Sequence, residues 1–312
     1  MGDALDLHGI LPPMATPFHA DSEEVDEEAL RGEVRALLDA GVHGLTVCGS
    51  TGEGHTLSVE ESCRIARVAR EEAGPDVPVI AGIIRDCTRD VVRYGLALRE
   101  VGVDALQITP VHYLFDPGAE GTVAYYERIG REVGLPIVIY NVIPWNTISP
   151  ELLLRLAEIE QVVGVKQSGG DIHKLADLLR ANDGRLRVLT AVDDLLYPSF
   201  LLGADGAIAA ILTVLPDLCV QLWDACGRGD HAEARALHER ILPVWRAINH
   251  PDMSSRTKAA IELRGRKVGP ARHPLLPVSP DVRAELAAAL EQAGVLSAEY
   301  GMRSAEYAPM HH

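Results

Sequence analysis

Two side chains that could take part in a reaction stand at the ends of short apolar runs in the sequence. Lys166 follows the run 162–165 (VVGV), and Tyr140 follows the run 135–139 (LPIVI). Desolvation favours the neutral amine of a lysine, which can attack a carbonyl carbon, and a phenol can transfer protons as a general acid or base. Position alone leaves an ordinary alternative open for each, namely an exposed loop lysine and a core tyrosine.

A glycine-rich segment at 49–54 (GSTGEG) follows another apolar run and precedes a helical pattern. Glycines let the backbone approach a ligand and aim N–H groups at an anion, and the hydroxyls of Ser50 and Thr51 suit a carboxylate. The spacing is GxxGxG rather than GxGxxG, and no GK[ST] follows, which disfavours a nucleotide loop. A plain tight turn remains the alternative.

The elements that would position these residues alternate along the chain. Eight short, nearly continuous apolar runs are typical of strands buried on both faces. The candidate strands are 7–14, 44–48, 77–83, 105–109, 136–141, 162–166, 187–191 and 206–211. Amphipathic patterns lie between them, at 27–40, 59–72, 88–101, 122–133, 150–159 and 172–181. This alternation predicts an α/β fold, a (β/α)8 TIM barrel, whose active site forms at the C-terminal ends of the strands. A doubly wound open sheet is the alternative.

The barrel is expected to occupy residues 1–215. Residues 216–300 are predicted to form a C-terminal helical extension packed on the barrel as one structural unit, with helices at 218–227, 231–248, 255–263 and 281–292. Residues 301–312 are predicted to be a tail, whose closing Met-His-His is typical of a purification tag.

Composition excludes several classes of partner. The formal net charge of −16 would be repelled by phosphate backbones, so no nucleic acid partner is expected. Five cysteines without a CxxC pair, and an acidic N-terminus without a signal pattern, predict a reduced cytoplasmic protein with no membrane partner. The twelve histidines show no HExxH or other compact metal spacing, so no metal is expected.

The sequence resembles the family that includes dihydrodipicolinate synthase and N-acetylneuraminate lyase, from about Gly9 to Ser279. Seven pieces match in order and at matching intervals. They are Thr16-Pro17-Phe18, 49–53, Ala81-Gly82-Ile83, Thr109-Pro110 with Tyr113, Tyr140-Asn141, 163–166 and 203–208.

This resemblance implies a metal-free, class I aldolase or lyase acting on pyruvate or another 2-oxo acid and an aldehyde. It implies that Lys166 forms an imine with the keto carbon, so that no external cofactor is needed, and that Tyr140 and Thr51 relay protons. Ser50 and Thr51 would hold the carboxylate, and Ile208 would contact pyruvate. Family members are commonly homotetramers in which a tyrosine from a neighbouring subunit completes the relay; here either Tyr113 or His112 would take that place.

One departure bears on the substrate. Synthases that make the lysine precursor carry an arginine for the aldehyde's carboxylate, but the segment 140–147 (YNVIPWNT) is one residue longer and has Asn146 at that point. A neutral amide cannot hold a carboxylate as a guanidinium does. Asn146 and His112 are therefore candidate contacts to a different aldehyde, and Trp145 and Phe115 favour a less charged one or simply pack at the rim.

Three further functions remain open from the sequence. The same imine could drive dehydration or decarboxylation of a 2-oxo or deoxy sugar acid. The chain could be an authentic 4-hydroxy-tetrahydrodipicolinate synthase despite Asn146. It could also be a non-catalytic sensor of 2-oxo acids, although a sensor would not need the proton relay.

Overall fold

A computed structural model describes residues 5–296 of the chain. Its strands are β1 (Gly9–Ile10), β2 (Leu45–Val47), β3 (Val79–Ile83), β4 (Ala105–Ile108), β5 (Ile137–Asn141), β6 (Val162–Gln167), β7 (Arg187–Thr190) and β8 (Gly206–Ala207). All eight belong to one parallel sheet, in the order β1-β8-β7-β6-β5-β4-β3-β2. Eight parallel strands that neighbour one another in chain order and are joined by outer helices define a TIM barrel. The predicted TIM barrel is therefore confirmed.

The barrel closes between β1 and β2 through the residues that follow β1. Pro13 bridges to Thr46 in parallel, and the Met14 N–H donates to the Thr46 carbonyl at 2.8 Å. The strand predicted over 7–14 is therefore only two residues long as a regular element. Pro12 and Pro13 have no N–H to give to the sheet, which explains the interruption.

The helices cover the outside of the sheet. Within the described residues they are α1 (Glu27–Asp39), α2 (Val59–Ala73), α3 (Thr88–Val101), α4 (Gly118–Val133), α5 (Pro150–Leu156), α6 (Ile172–Asn182), α7 (Leu196–Leu201), α8 (Ile211–Val214), α9 (Pro216–Gly227), α10 (His231–Ile248), α11 (Met253–Leu263) and α12 (Pro280–Gln292). Helix α2 begins with a capping box formed by Ser58 and Glu61.

The sequence prediction was wrong at two places between β7 and α8. The strand predicted over 206–211 ends at Ala207, and Ile211 starts helix α8, because a short apolar run does not distinguish a buried strand from a buried helix. Helix α7, between β7 and β8, was not predicted; it has only six residues and contains Pro198, too little for a helical period to be visible.

Aliphatic side chains pack against both faces of the sheet. A large cluster lies between the strands and the helices. A small second cluster lies inside the barrel and consists of Leu7, Leu11, Ile80, Ala105, Val138, Leu189 and Ile208. These residues fill the interior of the barrel, so space for a ligand is left only at the C-terminal ends of the strands.

The C-terminal helices pack back onto the barrel. Helix α9 contacts β1, α10 packs on α9 and α12, and α11 contacts α12 and the short α8. Helix α10 has the predicted bounds. The domain limits 1–215 and 216–300 stay predictions, and residues 301–312 lie outside the described residues.

Candidate active site

The side chain of Lys166 points into the barrel from the end of β6. It pairs in register with Tyr140 on β5 and with Leu189 on β7, and Leu189 belongs to the cluster inside the barrel. Lys166 is 4% exposed, and its Nζ lies 3.9 Å from the centroid of the Tyr140 ring. The amine is thus almost removed from water and lies against an aromatic face.

Tyr140 connects the lysine to the glycine-rich segment. Its hydroxyl donates to Ser50 Oγ at 3.1 Å, across 90 residues of sequence. The ring therefore lies against Lys166 while the hydroxyl reaches Ser50. Such a phenol can pass a proton between a group bound at the lysine and the serine.

The loop after β2 (residues 49–54, the β2 loop) is a tight turn with internal backbone bonds. Glu53 N–H donates to the Ser50 carbonyl at 3.0 Å, and Gly54 N–H donates to the Gly49 carbonyl at 2.9 Å. A Cβ at Gly54 would lie 1.9 Å from the Cys48 carbonyl oxygen, so only glycine fits there. The turn places Ser50 beside Tyr140 and leaves Thr51 buried next to it.

The segments that follow β7 and β8 contribute Asp193 and Ile208. Ile208 belongs to the cluster inside the barrel. Asp193 is buried, and its Oδ1 accepts from the N–H of Ile211 at 2.8 Å. Burial raises the pKa of Asp193 to about 7, although the bond from Ile211 and the charge of Lys166 oppose this shift.

Asp193 was not predicted from the sequence, although a signal was present. The aspartate follows the apolar run 188–192 (VLTAV) in the way that Lys166 follows 162–165. Because the charge of Lys166 opposes the rise in the pKa of Asp193, this buried acid belongs to the electrostatics of the site.

Two loops form one side of the mouth, after β4 (residues 110–116) and after β5 (residues 142–148); together they are called the rim loops. Trp145 Nε1 donates to the His112 carbonyl at 3.0 Å, and Asn146 Nδ2 donates to the Val111 carbonyl at 2.7 Å. The amide of Asn146, predicted to contact substrate, thus links the two loops. Its substrate contact stays a prediction.

Asp86, in the loop after β3, organises the first rim loop. Its Oδ1 accepts from the backbone N–H groups of His112 and Tyr113, at 2.5 and 3.1 Å, and lies 3.0 Å from His112 Nδ1. Tyr113, predicted as a catalytic residue, is 65% exposed on this loop. Within a single chain it therefore faces solvent, whereas Lys166, Tyr140 and Ser50 form one contact network.

Among residues 5–296, no group of three or more His, Cys, Asp or Glu side chains could hold a metal ion. No helix in this part of the chain is long and apolar enough to cross a membrane.

Fold and site together define a TIM-barrel enzyme with a buried lysine at its strand ends. The sequence model of the Dihydrodipicolinate synthetase family matches residues 6–293, so the chain belongs to that family. Its members are lyases of the class I aldolase type, and this chain is one of these enzymes.

Individual relatives agree with this assignment. A 4-hydroxy-tetrahydrodipicolinate synthase of Methanopyrus kandleri is 35% identical, over 93% of this chain and 97% of the relative. An uncharacterized DapA-like lyase of Halobacterium salinarum is 36% identical, over 95% of this chain and 97% of the relative. A solved structure of YagE, an E. coli prophage protein of the dihydrodipicolinic acid synthase family in complex with pyruvate, has 28% identity and a TM-score of 0.88, covering 93% of this chain and all of that one.

Proposed function

We propose that the chain is a Schiff-base lyase that forms or cleaves a carbon–carbon bond between pyruvate, or another 2-oxo acid, and an aldehyde. One observation carries the proposal: the buried Lys166 amine lies 3.9 Å from the ring centroid of Tyr140, whose hydroxyl bonds to Ser50. A lysine amine beside a phenol that can transfer protons is the arrangement that imine chemistry requires.

In the proposed reaction, Nζ of Lys166 attacks the keto carbon of the 2-oxo acid, water leaves, and a C=N bond forms. The protonated imine accepts the electron pair of the bond between the α-carbon and the hydroxyl-bearing carbon as that bond breaks, which gives an enamine and an aldehyde. The hydroxyl of the departing carbon gives its proton to Tyr140 while the phenol passes its own proton on, Thr51 extends this relay, and the relayed proton then reaches the enamine carbon. Protonation of the enamine and hydrolysis release the 2-oxo acid; the same steps in reverse form the bond.

The β2 loop would hold the carboxylate of the 2-oxo acid. The hydroxyls of Ser50 and Thr51 supply hydrogen-bond donors without a full positive charge. Ile208, on the inner face of the barrel, would contact the methyl group of pyruvate. Since these residues and Lys166 bind only the shared part of the substrate, the aldehyde must be selected elsewhere.

The rim loops would select the aldehyde. Asn146 and His112 are the candidate polar contacts there, and Trp145 and Phe115 are 67% and 76% exposed. Because the rim loops contain exposed apolar side chains and neither arginine nor lysine, they favour an aldehyde with less charge than one bearing a carboxylate.

The decisive experiment is borohydride reduction in the presence of pyruvate, followed by peptide mass spectrometry. We expect a mass gain located on Lys166. The absence of an adduct with pyruvate and with a panel of other 2-oxo acids would contradict the proposal. Pyruvate release from a panel of 4-hydroxy-2-oxo acids then identifies the aldehyde.

A second candidate is an authentic 4-hydroxy-tetrahydrodipicolinate synthase. The name of the 35% identical relative from Methanopyrus kandleri favours it, whereas Asn146 in place of the arginine disfavours it. Condensation of pyruvate with aspartate semialdehyde, compared with uncharged aldehydes at equal concentration, separates the two candidates.

The exposed apolar side chains of the rim loops also support assembly. Tyr113, Leu114, Phe115 and Trp145 are each at least 65% exposed, which is unusual for so many neighbouring large apolar groups in a monomer. We propose a homotetramer in which this surface meets a second subunit and Tyr113 or His112 completes the neighbouring site. Sedimentation velocity of the parent and of Phe115→Ser tests it; a monomeric parent would contradict it.

A further inference from the structure

Glu53 occupies an unusual position at the end of the β2 loop. Its backbone has φ 55, in the left-handed region, where a glycine would be less strained, and its side chain is fully buried. The chain places glycines on both sides of it, at 52 and 54. A strained, buried carboxylate at this point indicates that the side chain itself is needed there.

The partners of this carboxylate come from the C-terminal part of the chain. Lys258 on α11 places its Nζ 2.7 Å from Glu53 Oε1, and the backbone N–H of Arg272 donates to Oε2 at 2.9 Å, across 219 residues of sequence. Both ionic side chains are buried, at 2% exposure or less. A buried pair of this kind holds its geometry firmly, because separating the charges would leave each of them unpaired in a low dielectric.

Further contacts fix the lysine. Lys258 Nζ donates to the Pro270 carbonyl at 2.8 Å and lies 4.2 Å from the centroid of the Phe18 ring. Burial lowers the pKa of Lys258, and the charge of Glu53 opposes that shift. The amine therefore has three partners, which are the Glu53 carboxylate, the Pro270 carbonyl and the Phe18 ring.

A single residue, Ser50, connects Glu53 to the candidate active site. The N–H of Glu53 donates to the carbonyl of Ser50, and Ser50 Oγ accepts from the Tyr140 hydroxyl. A shift of Glu53 would move the Ser50 carbonyl with it, and displace the serine and threonine proposed to hold the carboxylate of the 2-oxo acid.

We infer that Glu53 and Lys258 are positioning residues for the lyase reaction: the buried ion pair lets the C-terminal helices set the pose of the β2 loop. The inference rests on the proposed function, since it assumes that the β2 loop holds the 2-oxo acid. It predicts that loosening the pair weakens binding of the 2-oxo acid more than it slows imine formation at saturation.

A second buried ion pair provides a matched control. Arg266, which also follows α11, contacts Glu33 on α1 at 3.0 Å, and the Glu33 side chain is fully buried. This pair likewise joins the C-terminal part to the barrel, but on α1 rather than on the β2 loop. Damage to it tests whether any loosening between these parts affects the site.

The experiment compares two double variants of the full-length protein, Glu53→Gln with Lys258→Met and Glu33→Gln with Arg266→Met. Replacing both partners avoids an uncompensated buried charge. For each variant, the pyruvate concentration that gives half-maximal borohydride trapping on Lys166 is measured, with the limiting trapping rate and the melting temperature. We expect a rise of ~10-fold or more in half-saturating pyruvate for the first variant and less than ~2-fold for the control, with limiting rates within ~3-fold of the parent.

Either a parental half-saturation value in the first variant, or an equal rise in the control, would overturn the inference. If the first double variant does not fold, the single variant Glu53→Gln, which keeps the shape and one acceptor oxygen, must raise half-saturation by at least ~3-fold; a parental value overturns the inference equally. A parent that traps no pyruvate at any concentration contradicts the proposed function, so the two failures are distinguishable.

Discussion

The β2 loop and the rim loops lie at the same end of the barrel but are built in opposite ways. The β2 loop is buried, bonded within itself and tied to Tyr140 and to a buried ion pair. The rim loops carry exposed apolar side chains and are joined mainly to each other. The half of the site proposed to bind the 2-oxo acid, which is the β2 loop with Lys166, Tyr140 and Asp193, is thus fixed by the core and is called the fixed half. The half proposed to bind the aldehyde lies on the surface, where substitutions cost little stability.

The largest effect is expected at the lysine of the fixed half. Lys166→Ala removes the nucleophile, so lyase activity should fall at least ~10³-fold, and borohydride should give no pyruvate adduct. Lys174→Ala, which changes a half-exposed lysine on α6, is the control and should retain both. Persistent trapping of pyruvate in Lys166→Ala would show that another amine carries the chemistry.

A smaller loss of activity is expected from Tyr140→Phe. The change keeps the ring beside Lys166 but removes the hydroxyl that bonds Ser50. The kcat should fall ~10²-fold or more, while pyruvate can still be trapped on Lys166. Tyr126→Phe serves as control, because its buried hydroxyl bonds the Ile108 carbonyl on the outer side of the barrel and should affect stability alone. Unchanged kcat in Tyr140→Phe would remove it from the proton relay.

Asp193 gives the fixed half a dependence on pH. Burial raises its pKa from 3.8 to about 7, so the folded state keeps a proton that the unfolded state loses between these values. The free energy of unfolding therefore falls as the pH rises from about 4 to about 7.

Asp193→Asn should remove this contribution while Oδ1 still accepts from Ile211. The stability of the variant relative to the parent should increase by about 2 kcal/mol between pH 5 and pH 7. Urea unfolding at the two pH values measures it, and Asp194→Asn is the neighbouring control. A constant difference between variant and parent would show that Asp193 is ionised throughout this range.

The smallest effect is expected at the rim. Trp145→Ala removes the bond from Nε1 to the His112 carbonyl, worth about 0.5–1.5 kcal/mol in typical proteins. The KM for the aldehyde should rise a few-fold, and half-saturating pyruvate should not change. An equal effect on both substrates would mean that the two halves of the site are coupled, and the contrast between them would then fail.

The sequence was sufficient for the barrel and for most of the fixed half. Alternating apolar runs and amphipathic helices follow from burial along the chain, which is local information, and they predicted the confirmed fold. Lys166, Tyr140 and the 49–54 segment could be found because each stands at a strand end, and parallel neighbours bring such ends together.

The sequence was insufficient where the answer depends on partners far away along the chain. Helix α8 could not be distinguished from strand by an apolar run, and Asn146 could not be seen to link the rim loops until Val111 lay opposite it.

Lys166 illustrates what the sequence and the tertiary structure each determined. The sequence by itself determined that a lysine ends a buried strand of a lyase-family barrel. Only the tertiary structure decided that its amine lies against Tyr140, near Asp193, beside a loop that Lys258 holds from the C-terminal helices. The physical reason is that the place of a residue in a buried strand follows from the local hydrophobic pattern, whereas the environment of a buried charge is defined by the groups that folding brings around it.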